Sequence, residues 1–405
     1  MFLTRNEEHM LDGDEGELLS KAMRLLVTLG EVGGAKRLAP IRRSQVAGVS
    51  FKTAGEPTLE LLESFASTGA KAKTIATLNP AGMDLERWAQ MGISAGFAEK
   101  QRRICCAYKR LGIRPTCTCT PYLSGNVPRY GEVIGFSESS AVAYSNSVLG
   151  ARSNRHGGLD ALAAALVGRV PLMGYLLDEN RLGDVEVKID CSLRNEADYA
   201  ALGYFVGKNL EMDEVPVYPE MKATRDRLKL LGAASAASGS VALYHVLGFT
   251  PEARKEGERL YRNGRLSESI IFDDVSRRRV YEELSSHAPC DLVAVGCPHC
   301  SLREVKEVAD RLSGRRVRDG VRFWIFVSPQ VFEDAEGTGC VAEIEASGAK
   351  VFEHTCMVVA PLEEMGITGV TTNSAKAAFY VPRMTKNKCG ATLLSLRDCV
   401  SMATV

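Results

Sequence analysis

Over residues 291–355 of this 405-residue chain, short apolar runs alternate with amphipathic stretches. DLVAVG, VRFWIFVS and AKVFEHT have the length of buried strands. SLREVKEVADRLSG and the stretch around VAEIEASG, between them, carry apolar residues at helical spacing. Strands joined through helices run parallel, because each crossover returns the chain to the same end of the sheet. The last third is therefore confined to an α/β design with a largely parallel sheet.

The first fifth repeats the pattern. GELLSKAMRLLVTLGEVGG (16–34) reads as a helix with a glycine-rich stop, and PIRRSQVAGVSF as a strand running into a loop at Gly48, Val49 and Ser50. PTLELLESFASTG opens a helix at Pro57 and closes it at Gly69. AKAKTIATLNPAGMD reads as another strand, with Asp84 capping the helix LERWAQM. In the middle, SSAVAYSNSVLG, LDALAAALVG and NEADYAALGYFVGKNL are rich in small residues and read as closely packed helices. LGAASAASGSVALYHVLG (231–248) fits a linker, a buried helix or a tight loop equally. The pattern suggests lobes 1–115, 116–285 and 286–405.

Fifty basic residues balance fifty acidic ones, so no global field attracts nucleic acid or an anionic membrane. The N-terminal MFLTRNEEHMLDGDEGE is charged where a secretory signal is apolar, and no apolar run reaches the about 18 residues of a membrane span. A cytoplasmic protein is expected. Twelve cysteines there point to metal binding, catalysis or plain burial rather than to disulfides. Phosphate-loop, dinucleotide, nucleophile-elbow and zinc-protease motifs are absent.

Cys105 and Cys106, adjacent on an amphipathic helix, point about 100° apart and read as packing residues. Cys191, Cys290, Cys340, Cys389 and Cys399 are isolated and read as structural. Three other places differ: PTCTCTPYLSGN with Cys117 and Cys119, GCPHC with Cys297, His299 and Cys300, and EHTCMVVAPLEEMG with Cys356. Each lies at a strand-to-loop transition, where an α/β sheet presents side chains to a shared cleft. Three remote thiolates suit three corners of a 4Fe–4S cube. Five cysteines and His299 also suit zinc. Spacing alone leaves the two open, and with them a non-enzymatic zinc- or thiol-based binding protein.

The blocks NPAGMDLERW, CTCTPYLSGN, FSESSAVAYSNSVLGARSNRHGG, GCPHCS, TCMVVAPLE and TNSAKAAFY, in that order, resemble the large subunit of the aconitase X family, in particular its archaeal branch. The resemblance runs over essentially the whole chain. It implies a multi-lobe aconitase-like α/β/α architecture lacking the swivelling domain, which would sit on a separate small subunit. It implies an iron–sulfur hydro-lyase that converts (R)-5-phosphomevalonate to trans-anhydromevalonate 5-phosphate, in a modified mevalonate route to isoprenoids. Dehydration of another hydroxy acid, such as cis-3-hydroxy-L-proline, is the alternative. It also implies one cluster ligand from each segment: Cys119, Cys297 and Cys356, with Cys117 and Cys300 as neighbours. The sequence departs from the family at His156, where an acidic residue is common, and at Leu176 or Leu177, where a histidine is.

The expected reaction removes a proton beside a carboxylate and a hydroxyl from the next carbon, and the proton-abstracting serine is expected on the partner. Gly48, Val49 and Ser50 form a loop able to cradle an anion. Asn79, ahead of Pro80, is placed to orient substrate. Glu138, the one catalytic candidate on this chain, opens a helix with Ser139 and is placed to bond the hydroxyl or a water. Ser374, Ala375 and Lys376 begin another helix, a favourable anion position. Arg152 and Arg155 are further candidates for carboxylate recognition. Each also has a plain reading as a turn, cap or solvated charge.

Overall fold

A computed structural model describes residues 1–262, 268–286 and 288–405. The alternation in the last third becomes a five-stranded parallel sheet, ordered Lys350–Glu353, Arg322–Val327, Leu292–Cys300, Gly369–Thr372 and Gly390–Leu393. Its central strand, Leu292–Cys300, is buried along its whole length. A sheet covered on both faces needs apolar side chains on both sides of the strand, which is why that run does not alternate. One face packs Val293 and Ile325 against Val305, Val308, Ile344 and Val400 from the surrounding helices.

Near the N-terminus, Ile75–Leu78, Arg43–Val46 and Gly135–Phe136 form a second parallel sheet. A third, of His245–Val246, Pro216–Tyr218, Val185–Asp190 and Glu268–Asp273, lies in the middle of the chain and is also parallel. The first and last sheets meet at the C-terminal ends of their strands. Ala81 N–H donates to the His354 carbonyl (2.8 Å) and Glu353 N–H to Asp84 Oδ2 (3.0 Å). Among the described residues no helix is long and apolar enough to cross a membrane.

Several local expectations change. The helix expected from Pro57 begins at Phe51, because Ser50 starts it and Gly55, at φ 67°, breaks it two residues before the proline restarts it. Asp84 stabilises a turn, accepting from the Glu86 and Arg87 N–H groups, and the helix Trp88–Met91 begins later. Cys105 is buried but Cys106 is exposed, as a 100° offset on a surface helix requires. Residues 231–239 complete the buried helix Arg225–Gly239, which ends at Ser240 in the left-handed region.

That helix packs on Glu196–Asn209 backbone to backbone. A Cβ on Gly203 would lie 2.1 Å from the Leu231 carbonyl oxygen, and one on Gly239 1.7 Å from that of Gly207. Gly203→Ala should therefore lower unfolding stability by about 2–4 kcal/mol in denaturant titration, since backbone cannot yield as a side chain can. Gly96→Ala, where the added carbon meets nothing within 4 Å, should be neutral or slightly stabilising.

Candidate active site

Where the two outer sheets meet, strand ends and the loops after them enclose a cavity of about 170 Å³. Asn79 and Pro80 follow the strand Ile75–Leu78, Glu138 and Ser139 follow Gly135–Phe136, and Cys356 follows Lys350–Glu353. Cys297 ends the apolar part of its strand, directly after Gly296. There φ is +107° and a Cβ would lie 2.3 Å from the Phe326 carbonyl oxygen, so only glycine lets the strand turn its next residue into the cavity. Cys119 arrives from a segment tied to the first sheet through Thr118 N–H and the Leu78 carbonyl (2.9 Å). The strand expected before it reduces to one bridge, Arg114 to Thr77.

Cys119, Cys297 and Cys356 line this one cavity, and all three are buried. The Cys297 and Cys356 thiols hydrogen-bond each other, and the Val358 and Val359 N–H groups point at the Cys356 sulfur. Burial pushes the Cys119 thiol up to about 12, with the Glu138 charge adding to it. Cys117 turns away to hydrogen-bond Cys105. Cys300 packs in the core on the far side of the strand. His299 has both ring nitrogens committed, to the Thr118 hydroxyl and the Thr355 carbonyl. The five cysteines and histidine thus do not converge, and among the described residues no three His, Cys, Asp or Glu side chains close on a single ion. Three sulfurs around one cavity, each from its own segment, suit a cluster in which each binds a different iron.

Beside the thiols lies a buried charge pair. Lys376 Nζ donates to Glu138 Oε1 and to Ser140 Oγ (3.3 Å), while Asn79 Nδ2 donates to Glu138 Oε2 (2.7 Å). The Ser140 hydroxyl (2.8 Å) and N–H (3.3 Å) complete the shell. Burial raises the Glu138 carboxyl, but the lysine charge and these hydrogen bonds outweigh it and hold the group down at about 2. Burial likewise opposes the charge on Lys376, and the facing carboxylate wins, raising it. Asn79 Oδ1 is buried with no partner among the described residues, leaving one acceptor for a ligand.

The other expected residues stand around this centre. Gly48, Val49, Ser50, Ser374 and Ala375 lie outside its walls. Ser50 Oγ donates to the carbonyl of Val359, a wall residue, and Ser374 Oγ donates to the Cys297 carbonyl. The N–H groups of Gly48, Val49 and Ser50 find no acceptor among the described residues. Ser374 starts the helix Ala375–Met384, but the Lys376 cation goes to Glu138 instead of standing free at the helix start. Arg152 is committed to Leu176 and Asp178, and Arg155 and His156 line a separate cavity. Tyr380 and Met384, which also line the site, went unremarked in the sequence. They follow Lys376 at four-residue steps on one helix face, a readable signal.

The chain belongs to the aconitase X family. Models of the family's first, second and third domains match residues 1–179, 183–282 and 290–405. It is 45% identical over 399 residues to the phosphomevalonate dehydratase large subunit of Methanocaldococcus jannaschii, covering 96% of this chain and 97% of that one. It is 46% identical to the Methanosarcina mazei protein of that name, covering 100% and 97%. The cis-3-hydroxy-L-proline dehydratase of Pseudomonas aeruginosa is 34% identical, over 98% of this chain and 69% of its own length. The crystal structure of Thermococcus kodakaraensis aconitase X in its holo form superposes over the whole of both chains with a TM-score of 0.91 at 40% identity.

Proposed function

We propose that this chain is the iron–sulfur-bearing large subunit of a cytoplasmic hydro-lyase that converts (R)-5-phosphomevalonate to trans-anhydromevalonate 5-phosphate. The observation that carries this reading is a single cavity holding Cys119, Cys297 and Cys356 beside the Asn79–Glu138–Lys376 network. The relatives named phosphomevalonate dehydratase large subunit, at 45–46% identity, support the substrate.

A 4Fe–4S cluster on the three thiolates would supply an iron with a free position, a Lewis acid toward the departing hydroxyl. Everything else is done by side chains and backbone. Glu138, kept ionised, accepts a hydrogen bond from the substrate hydroxyl or from a water and fixes its direction. Lys376 and Ser140 hold that carboxylate still, and Asn79 keeps its free carbonyl for a substrate donor. The unpaired N–H groups of Gly48, Val49 and Ser50 receive an anionic end of the substrate. Ser139 and Pro80 complete the cavity wall, and Ser374, behind it, holds the Cys297 carbonyl. Among the described residues Lys376 is the one cation lining the cavity, and it is already paired. Charge to balance a phosphate, and the base that takes the proton, therefore fall to the small subunit with its swivelling domain.

The test is water loss followed after anaerobic reconstitution with that partner. Phosphomevalonate should turn over at least about 100-fold faster, in kcat/KM, than cis-3-hydroxy-L-proline, because a site built for a phosphate leaves donors unpaired without it. Turnover of hydroxyproline alone would reject the assigned substrate.

A further inference from the structure

All four polar groups of His299 are used, and each reaches a different part of the site. Its N–H donates to Cys119 Sγ (3.2 Å), and its carbonyl accepts from Lys229 Nζ (2.9 Å). Nε2 lies 2.8 Å from the Thr355 carbonyl oxygen, next to Cys356. Nδ1 lies 2.9 Å from Thr118 Oγ1, next to Cys119. The residue itself sits two positions beyond Cys297 and is fully buried. A carbonyl only accepts, so Nε2 carries the proton. In the neutral ring Nδ1 then accepts, and the Thr118 hydroxyl donates to it. Lys229, on the helix Arg225–Gly239, is itself buried and paired with Glu304. One imidazole thus joins the three thiol-bearing segments, and its carbonyl ties them to the middle of the chain.

We propose that His299 is a positioning residue: its ring fixes the distances among Cys119, Cys297 and Cys356 before any cluster arrives. Most cysteines of this chain are buried, but these three must hold their spacing without a covalent link. Segments 118–119 and 355–356 contribute no helix or strand at those residues. Single backbone contacts tie these two segments to the first sheet, and the ring's two hydrogen bonds tie each of them to the segment of Cys297. Loss of the ring leaves the buried Thr355 carbonyl without its partner and the Thr118 hydroxyl with Thr120 alone, and each segment gains freedom independently.

The inference rests on reading the three thiols as cluster anchors, and a measurement on the iron-free chain keeps the two apart. Alkylation of each cysteine in the native iron-free protein is followed by mass spectrometry in wild type and in His299→Ala, His299→Gln and His299→Asn. His299→Ala should speed labelling of Cys119 and Cys356 at least about tenfold, with the buried Cys399 and Cys389 unchanged. The glutamine amide reaches the Nε2 position and should slow Cys356 again while leaving Cys119 fast. Asparagine reaches only the Nδ1 position and should do the reverse. After anaerobic reconstitution, His299→Ala should release iron to a chelator at least about tenfold faster than wild type, within the range of outer-shell effects on metal affinity. Unchanged labelling, or equal acceleration at Cys389 and Cys399, would overturn the proposal. A wild type that takes up no iron would instead remove the proposed function, while the labelling pattern still decides the role of His299.

Discussion

Anaerobically reconstituted Cys119→Ser protein is expected to hold little iron and sulfide and to lose at least about 100-fold in dehydratase activity, while Cys117→Ser keeps both. The two residues are separated by one threonine, yet the fold sends them to different places. Cys119 faces the cavity with Cys297 and Cys356, whereas Cys117 packs against Cys105 in the neighbouring core. A serine at 119 leaves one corner of a cluster to a poorer ligand, and removing an anchor costs more than the 10–100-fold typical of an outer-shell change. Cys117→Ser disturbs buried sulfur contacts with Cys105 and the Ala81 N–H, away from the cavity wall. Iron and inorganic sulfide content, read beside turnover, check both expectations. A full cluster in Cys119→Ser would reassign the ligand.

Replacing Lys376 with methionine should have the second large effect. The substitution keeps side-chain length and removes the charge facing Glu138, leaving a buried carboxylate with only Asn79 and Ser140. Breaking such a pair from one side costs about 3–5 kcal/mol. With the lysine gone, burial acts on Glu138 with less opposition and its pKa rises from about 2. In the wild type the depressed pKa gives stability that is complete above the unfolded value near 4.5 and is lost as pH falls toward 2. In Lys376→Met the folded value moves up toward or past the unfolded one, so this acid-side loss shrinks and the deficit against wild type narrows as pH falls, while the acid limb of the activity profile moves to higher pH. Adding Glu138→Gln removes the uncompensated charge, so the double variant should be more stable than Lys376→Met alone, though still inactive. Urea titrations at pH 5 and pH 8 measure both trends. A Lys376→Met protein as stable as wild type at pH 8 would show that the pair contributes nothing.

Three strands of the last sheet, Leu292–Cys300, Arg322–Val327 and Lys350–Glu353, were readable as apolar runs, whereas Gly369–Thr372 and Gly390–Leu393, built largely of glycine and threonine, were not. The strands Gly135–Phe136 and His245–Val246 were not either, since two residues carry no period. Asn79 stood out at the end of a strand and Glu138 at the opening of a helix, and the fold joins their side chains at 2.7 Å through a contact spanning 59 positions. The partner of Lys376 could not be read. A lysine at a helix start looks like an anion donor until folding brings Glu138 from 238 positions away. His299 was read only as a zinc candidate, and its actual bonds were hidden for the same reason, because its ring partners Thr118 and Thr355 lie 181 and 56 positions off. Pairings of that span depend on how whole sheets dock, and local pattern holds no record of them.

The central claim is that three cysteines hold an iron–sulfur cube with one iron left for substrate. Mössbauer spectroscopy of the ⁵⁷Fe-reconstituted protein with its partner, before and after adding (R)-5-phosphomevalonate, tests it most directly. The account predicts that a single iron site shifts on substrate binding while the others stay as they were. Zinc in place of iron and sulfide, or a cluster in which no iron responds to substrate, would contradict it.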